Sequence, residues 1–340
     1  MEDFNLLAVD LREKLKADPE NVNILNDLAI ASMEVNEFEE AFEYFKIAAN
    51  IKPSVQSLNN LGYFYFKEGE PEDDGWRYRE DKAIDLLEKT IELKPKSHIP
   101  YAILGEIYAI NKDYIRAKEL LGKSISIKPT LENLNNMGVC HYYTSSMDEA
   151  HKYFNLANLK RGNENLSLYP MLSTGMCLTR LGRVLEAKQI ANELITNCKD
   201  TDLYFEEIDI AELFYEIEDY KKVADIYREN KYSFSKLWIP SYLYSLKQLG
   251  SNSEMNKVFT DVIKNAEKEI EETLIDDDEE WSYEDKQEYI DDLRSDISFY
   301  KKSFQKILNG QRPLLDFHPS IESTCYLFGC IRHNNPHYLD

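Results

Sequence analysis

Two cysteines and two histidines fall within thirteen residues, in the order Cys325-x4-Cys330-x2-His333-x3-His337. Sulfur and imidazole donors in that number would suit tetrahedral zinc. Yet the two-residue gap between Cys330 and His333 leaves no room for the usual knuckle or helix between ligand pairs. Cysteines amid Tyr326, Leu327 and Phe328 are commonly packed as small apolar residues, so packing is the reading taken, and neither a metal nor another cofactor is expected. Catalysis has less to stand on. The chain contains no Gly-x-Gly, no phosphate-binding loop and no nucleophile elbow. Cys140 and His141 are neighbours, but consecutive side chains on a helix diverge by about 100° and cannot form a working pair. His98, His151 and His318 adjoin no evident nucleophile, and a non-enzymatic protein is expected.

The elements that would position such residues are legible in a repetition. IKPSVQSLNNLG at 51–62 and IKPTLENLNNMG at 127–138 are near copies, 76 residues apart. Between them residues 98–129 carry Tyr101, Leu104, Gly105, Tyr108, Tyr114, Ala117, Leu121 and Pro129 at the spacings of a 34-residue helical hairpin. On these residues the chain resembles the tetratricopeptide repeat (TPR) family. Gly62, Gly105, Gly138 and Gly175 fall where helices must approach closely, as do Ala41, Ala83, Ala117, Ala150 and Ala187, while Pro53, Pro95 and Pro129 end the second helices. The fold expected is an all-α, right-handed superhelical solenoid of six to seven hairpins with capping helices.

Residues 1–20 read as an N-terminal capping helix with Leu6, Leu7, Val9, Leu11 and Leu15 inward. Residues 21–274 read as the solenoid, with repeats at 22–53, 55–95, 98–129, 131–162, 168–199, 204–235 and 236–274. The second repeat holds an insertion at 70–80, where Trp76, Arg77 and Tyr78 either meet a partner or, in the case of Trp76, fold back on the repeat. Residues 275–310 are an acidic loop and a helix opened by Ser282 as N-cap. Residues 311–340 form a tail too apolar for a disordered terminus. Two places could bury it, the flank of the 283–308 helix or the groove of the array; the cap is the expectation, because that helix would otherwise be bare.

The TPR resemblance implies that ligand contacts come from fixed slots on each first helix, which line the concave surface. Here the slots hold Asn26 and Asp27, then Asn59, Asn60, Tyr63 and Phe66, then Glu106, then Asn135, Asn136 and Tyr142, then Tyr169, with Arg180 one place beyond the last slot. Side-chain amides can donate to and accept from a peptide backbone without reading its side chains, so the asparagines suit an extended segment. Ala102 and Ile103 interrupt the ladder in the third repeat. The chaperone-binding carboxylate clamp needs Lys and Arg in these slots and is excluded.

The formal net charge is −22, and residues 201–300 hold 27 acidic against 11 basic side chains, so 16 of the 22 excess charges lie there. Nucleic acid is an unsuitable partner; a protein or peptide is expected, and a basic one would be steered to the 275–281 stretch with Glu206, Glu207, Glu212, Glu216 and Glu218. No run is apolar enough to cross a bilayer, and an odd number of irregularly spaced cysteines reads as reduced thiols, so a cytoplasmic protein without a membrane partner is expected. The function expected is a peptide- or protein-binding module. An acidic inhibitor of a basic toxin or nuclease and a peptide-responsive regulator are the alternatives.

Overall fold

In the computed structural model the described residues are 4–73, 75–161, 167–198, 207–229, 238–276 and 281–338. They form sixteen α-helices and one small β-hairpin, in two compact units, Met1–Gly162 with Ser320–Asp340, and Asn163–Pro319. The fold is all-α and built of helical hairpins. No described helix is long and apolar enough to cross a membrane.

The first unit opens with α1 (Phe4–Ala17) and continues as four antiparallel pairs. These are α2 (Val22–Glu34) with α3 (Phe38–Ile51), α4 (Val55–Lys67) with α5 (Glu80–Glu92), α6 (Ile99–Ile110) with α7 (Tyr114–Ile127), and α8 (Leu131–Tyr143) with α9 (Met147–Arg161). Gly105 and Gly138 lie where the two helices of a pair touch. A Cβ on Gly105 would stand 2.9 Å from Leu121 Cγ, and one on Gly138 would stand 2.7 Å from the Phe154 ring, so the spacing of the pair depends on its absence. Ala41, Ala83, Ala117 and Ala150 are fully buried opposite.

The hairpin turns share one backbone device. Two positions past the last residue of the first helix, Asn36, Gly69, Lys112 and Ser145 all have positive φ, from 58° to 92°. That left-handed residue reverses the chain and lets its own amide and the next bond back onto the helix, as in Asn36 N to Met33 O and Glu37 N to Ser32 O.

The capping helix α1 rolls differently from the sequence reading. Ala8 and Leu11 are buried against Leu28 and Ala31 of α2, whereas Leu6 and Val9, expected inward, are 67% and 55% exposed. One stripe of a helix meets a single neighbour here, and i, i+3 from Ala8 to Leu11 defines it. The insertion is a β-hairpin, β1 (Glu70–Glu72) antiparallel to β2 (Gly75–Arg77) with Pro71 opposite Trp76. Trp76 folds back on the repeat, with its ring 6.4 Å from Phe38 and 5.9 Å from Phe64. Tyr78 stays exposed, Arg77 pairs with Glu72 at 3.2 Å, and Arg79 and Lys82 both bind Glu70.

The second unit contains α10 (Tyr169–Arg180), α11 (Val184–Cys198), α12 (Glu207–Glu216), α13 (Tyr220–Glu229), α14 (Ile239–Gln248), α15 (Asn252–Ile275) and α16 (Tyr283–Leu308). Gly182, Glu218 and Gly250 repeat the left-handed turn at the same position after α10, α12 and α14. Helix α16 stacks Phe304 on Phe259 of α15, ring centroids 4.0 Å apart. Its cap departs from the usual box: Ser282 Oγ accepts from Asp285 N at 3.1 Å, and the Asp285 carboxylate accepts the Ser282 hydroxyl at 2.7 Å. An aspartate, one methylene shorter than glutamate, meets the hydroxyl.

Arg312 and Pro313 bond to α12, and residues 311–316 line a cavity together with Phe299, Ser303 and Lys306 of α16. Tyr215 OH donates to Pro313 O at 2.8 Å, and Arg312 donates to Tyr215 O at 2.9 Å with its guanidinium over the tyrosine ring. Arg312 also lies 3.7 Å from Glu216 and 4.0 Å from Glu218, so those two acids, expected to steer a partner, already face a cation. Of that set, Glu206, residues 277–280 and the Glu207 side chain lie outside the described residues.

Glu212 lines a cavity of about 580 Å³ and accepts from Trp238 Nε1 at 3.0 Å. Burial pushes its carboxyl up to about 7 from 4.5. Below 4.5 both folded and unfolded chains hold the proton; between 4.5 and 7 only the folded chain does; above 7 the folded carboxylate carries its desolvation cost in full. Stability is therefore expected to fall as pH rises through that window, by about 3 kcal/mol at 1.36 kcal/mol per pKa unit. Glu212→Gln keeps an acceptor for Trp238 and should flatten this slope. Urea denaturation at about pH 5 and about pH 8 checks it, and an equal slope in the variant would assign the effect to other groups.

Candidate functional site

Helix α4 is buried at eleven of its thirteen residues and α8 at ten. A first helix covered only by its partner would leave one face wet; here the chain's own residues 320–338 cover that face. The contacts are made by asparagine carboxamides. Asn60 Oδ1 accepts from Phe328 N at 2.9 Å while its Nδ2 donates to Phe328 O at 3.0 Å. Asn136 does the same to Glu322, 2.8 Å from N and 2.7 Å to O. The residue before each makes one bond more: Asn59 Nδ2 donates to Tyr326 O at 2.9 Å, and Asn135 Nδ2 to Ser320 O at 2.8 Å. Asn59 and Asn135 also orient their neighbours by donating to Asn60 Oδ1 and Asn136 Oδ1. All four asparagines are fully buried.

The twin helices thus grip the tail twice in the same way, at residues six apart, and every main-chain bond goes to an even-numbered residue. Successive residues of an extended chain turn to opposite sides, which gives that alternation. Between the grips, where Ala102 and Ile103 fill the asparagine slots of α6, Tyr63 OH donates to Thr324 O at 3.3 Å and Lys67 Nζ reaches Ser323 Oγ at 2.8 Å. Lys67 also pairs at 2.9 Å with Glu106 of α6, whose carboxyl is raised above its ordinary value by burial and held back by that lysine. Burial likewise raises the Tyr63 phenol. Beyond Phe328 the tail is held by Gln56, whose Oε1 accepts from Tyr338 N at 2.9 Å, and Asn60 Nδ2 reaches Asn26 Oδ1 at 3.2 Å.

Of the slot residues, Asn26, Asn59, Asn60, Tyr63, Asn135 and Asn136 form this connected row. Phe66 lies partly buried beneath Lys67, and Tyr142 is buried beside Tyr143. Tyr169 and Arg180 belong to α10 in the other unit. Gln56 and Lys67 were not expected. With Asn60 and Tyr63 they stand at i, i+4, i+7 and i+11 on α4, a single helical stripe that was available as a signal. The tail's position corrects the capping expectation. The apolar side chains that demanded burial, Tyr326, Leu327 and Phe328, are buried in the core of the first unit, where the extended backbone meets the carboxamides of Asn59 and Asn60.

The metal-type cluster also lies in this tail. Sγ of Cys325, Sγ of Cys330 and a ring nitrogen of His333 are all within 4.8 Å of one another. Cys330 Sγ is 3.2 Å from His333 Nδ1. The Cys325 thiol donates to Cys330, which holds the Cys330 sulfur well below the usual thiol range and pushes Cys325 up. His337 goes elsewhere, with Nδ1 3.2 Å from Gln56 Nε2 and Nε2 3.5 Å from Asp27.

Residues 100–131 match the tetratricopeptide repeat model. No curated protein matches the chain. Among solved structures, PilW, a type IV pilus biogenesis factor, is 20% identical with a TM-score of 0.50, covering 60% of this chain and 89% of its own. The C-terminal part of a TPR repeat-containing protein from Cytophaga hutchinsonii is 15% identical, covers 75% and 94%, and has a TM-score of 0.48. MamA is 29% identical, covers 47% and 89%, and has a TM-score of 0.40. With the α6/α7 hairpin inside the matched residues and the same turn recurring after α2, α8, α10, α12 and α14, the chain is a tetratricopeptide repeat protein.

Proposed function

We propose that this chain is a non-enzymatic protein-interaction module. It grips an extended protein segment by its backbone, and its own residues 320–338 are the resident occupant that a partner segment displaces. The observation that supports this reading is the pair of two-point grips, Asn60 on Phe328 and Asn136 on Glu322. A carboxamide that meets both N–H and C=O of one residue reads a main chain and not a side chain, so a second segment can use the same partners. Covalent attachment gives the tail a high effective concentration, which keeps the row occupied until a partner competes.

The test is exchange. A protease site inserted beside Leu314, which is 93% exposed, lets the tail be cut without being removed. A fluorescent peptide of residues 315–340 should then replace the cut tail, and should bind intact protein far more weakly. The same peptide N-methylated at Glu322 and Phe328 loses both gripped N–H groups and should fail to enter. Normal entry of the N-methylated peptide, or no exchange after cutting, would sink the reading.

A further inference from the structure

We propose that Cys325, Cys330 and His333 form a binding site for a thiophilic divalent cation, with Zn²⁺ as the ion of choice. The three donors would take three tetrahedral positions and leave the fourth open. Zinc–sulfur bonds of about 2.3 Å and zinc–nitrogen bonds of about 2.0–2.1 Å place tetrahedral donors roughly 3.5–3.8 Å apart. Donors that already lie within 4.8 Å of one another need to move by about an ångström. The donor set is soft, two sulfurs and one imidazole, which favours zinc over magnesium or calcium.

The loop that carries the donors is fastened independently of any ion. Asn335 Nδ2 donates to Cys325 O at 2.8 Å, Asn335 N to Cys330 O at 2.9 Å, and Gly329 N to Pro336 O at 3.2 Å. Gly329 and Asn334 take the left-handed conformation, with φ of 86° and 52°, to close it. Asn60 fixes Phe328 two residues before Cys330, and Gln56 fixes Tyr338 five residues after His333. The cluster is therefore graded from dry to wet: Cys330 is buried, Cys325 half-buried and His333 exposed. A cation can enter from the histidine side, and water can fill the fourth position. Because the loop lies between two groove contacts, the ion would also fasten the tail, since metal binding to a folded site is coupled to folding.

The experiment is cobalt substitution in the full chain, purified under reducing conditions and stripped with a chelator. One equivalent of Co²⁺ should give the thiolate-to-cobalt charge-transfer absorption of a tetrahedral site, and Zn²⁺ should bleach it at one equivalent. His333→Ala changes an exposed side chain, so the fold is kept while affinity should fall at least tenfold. Cys325→Ser should remove most of the charge-transfer intensity, whereas Cys140→Ser, Cys177→Ser and Cys198→Ser should each leave it in place. A chain with no cobalt band, a band indifferent to His333→Ala and Cys325→Ser, or a Cys325–Cys330 disulfide in reduced protein would overturn the proposal. None of these readouts depends on a partner, so they stand or fall apart from the peptide-exchange reading.

Discussion

The double variant Asn60→Ala/Asn136→Ala is expected to lose about 4–6 kcal/mol of stability and to release the tail before the helices melt. Each substitution strands an amide N–H and a carbonyl in a buried row, and an unsatisfied buried group costs about 1–3 kcal/mol. The low end applies to each group, because a freed tail can reach water. Six residues of extended chain at about 3.3 Å each separate the grips by roughly 20 Å, which is far enough for the two losses to add. Urea denaturation gives the total. Hydrogen exchange at the Glu322 and Phe328 amides gives the mechanism, and unchanged protection there would mean that the carboxamides do not hold the tail.

Phe328→Ala should cost about 3–5 kcal/mol, the range for deleting a buried aromatic ring. The ring is 2% exposed, lies 5.3 Å from Tyr338 and shares the core of the first unit with Leu61, Phe64 and Ile103. The cavity would open at the interface between tail and helices, so tail release should precede global unfolding. Ile331→Ala is the control: at 46% exposed its change should stay within about 0.5 kcal/mol, as for surface sites. Equal effects from the two substitutions would show that Phe328 is not an anchor.

The hairpins were legible because their signals are steric and local. A glycine on the first helix, facing Leu121 or Phe154, and a buried alanine on the second recur once per hairpin whatever surrounds them. The asparagine row was legible in part, since Asn59, Asn60, Asn135 and Asn136 sit in twin sequences. Its continuity was not, because Tyr63 and Lys67 bridge the gap left by Ala102 and Ile103 from a neighbouring helix, across a separation that periodicity does not record. The tail's destination was hidden for a related reason. Apolar residues announce that a segment must be buried, but main-chain bonds to Ser320, Glu322, Tyr326 and Phe328 leave no trace in the side chains of the segment that makes them. Trp76 lies in an insertion whose strands are three residues each, too short for alternation to register.

The six-residue interval between the two grips acts as a ruler. An α-helix advances about 1.5 Å per residue, so six helical residues would span only about 9 Å and could engage one grip but never both. An extended segment advances three residues for each hairpin it crosses and arrives at the second carboxamide in phase. A one-residue insertion between the grips would turn the wrong side of the main chain toward Asn60, and proline at either gripped position would arrive without a hydrogen to give. In the proposed exchange, what the row would select is a length and a set of forbidden residues, leaving the side chains between free to vary.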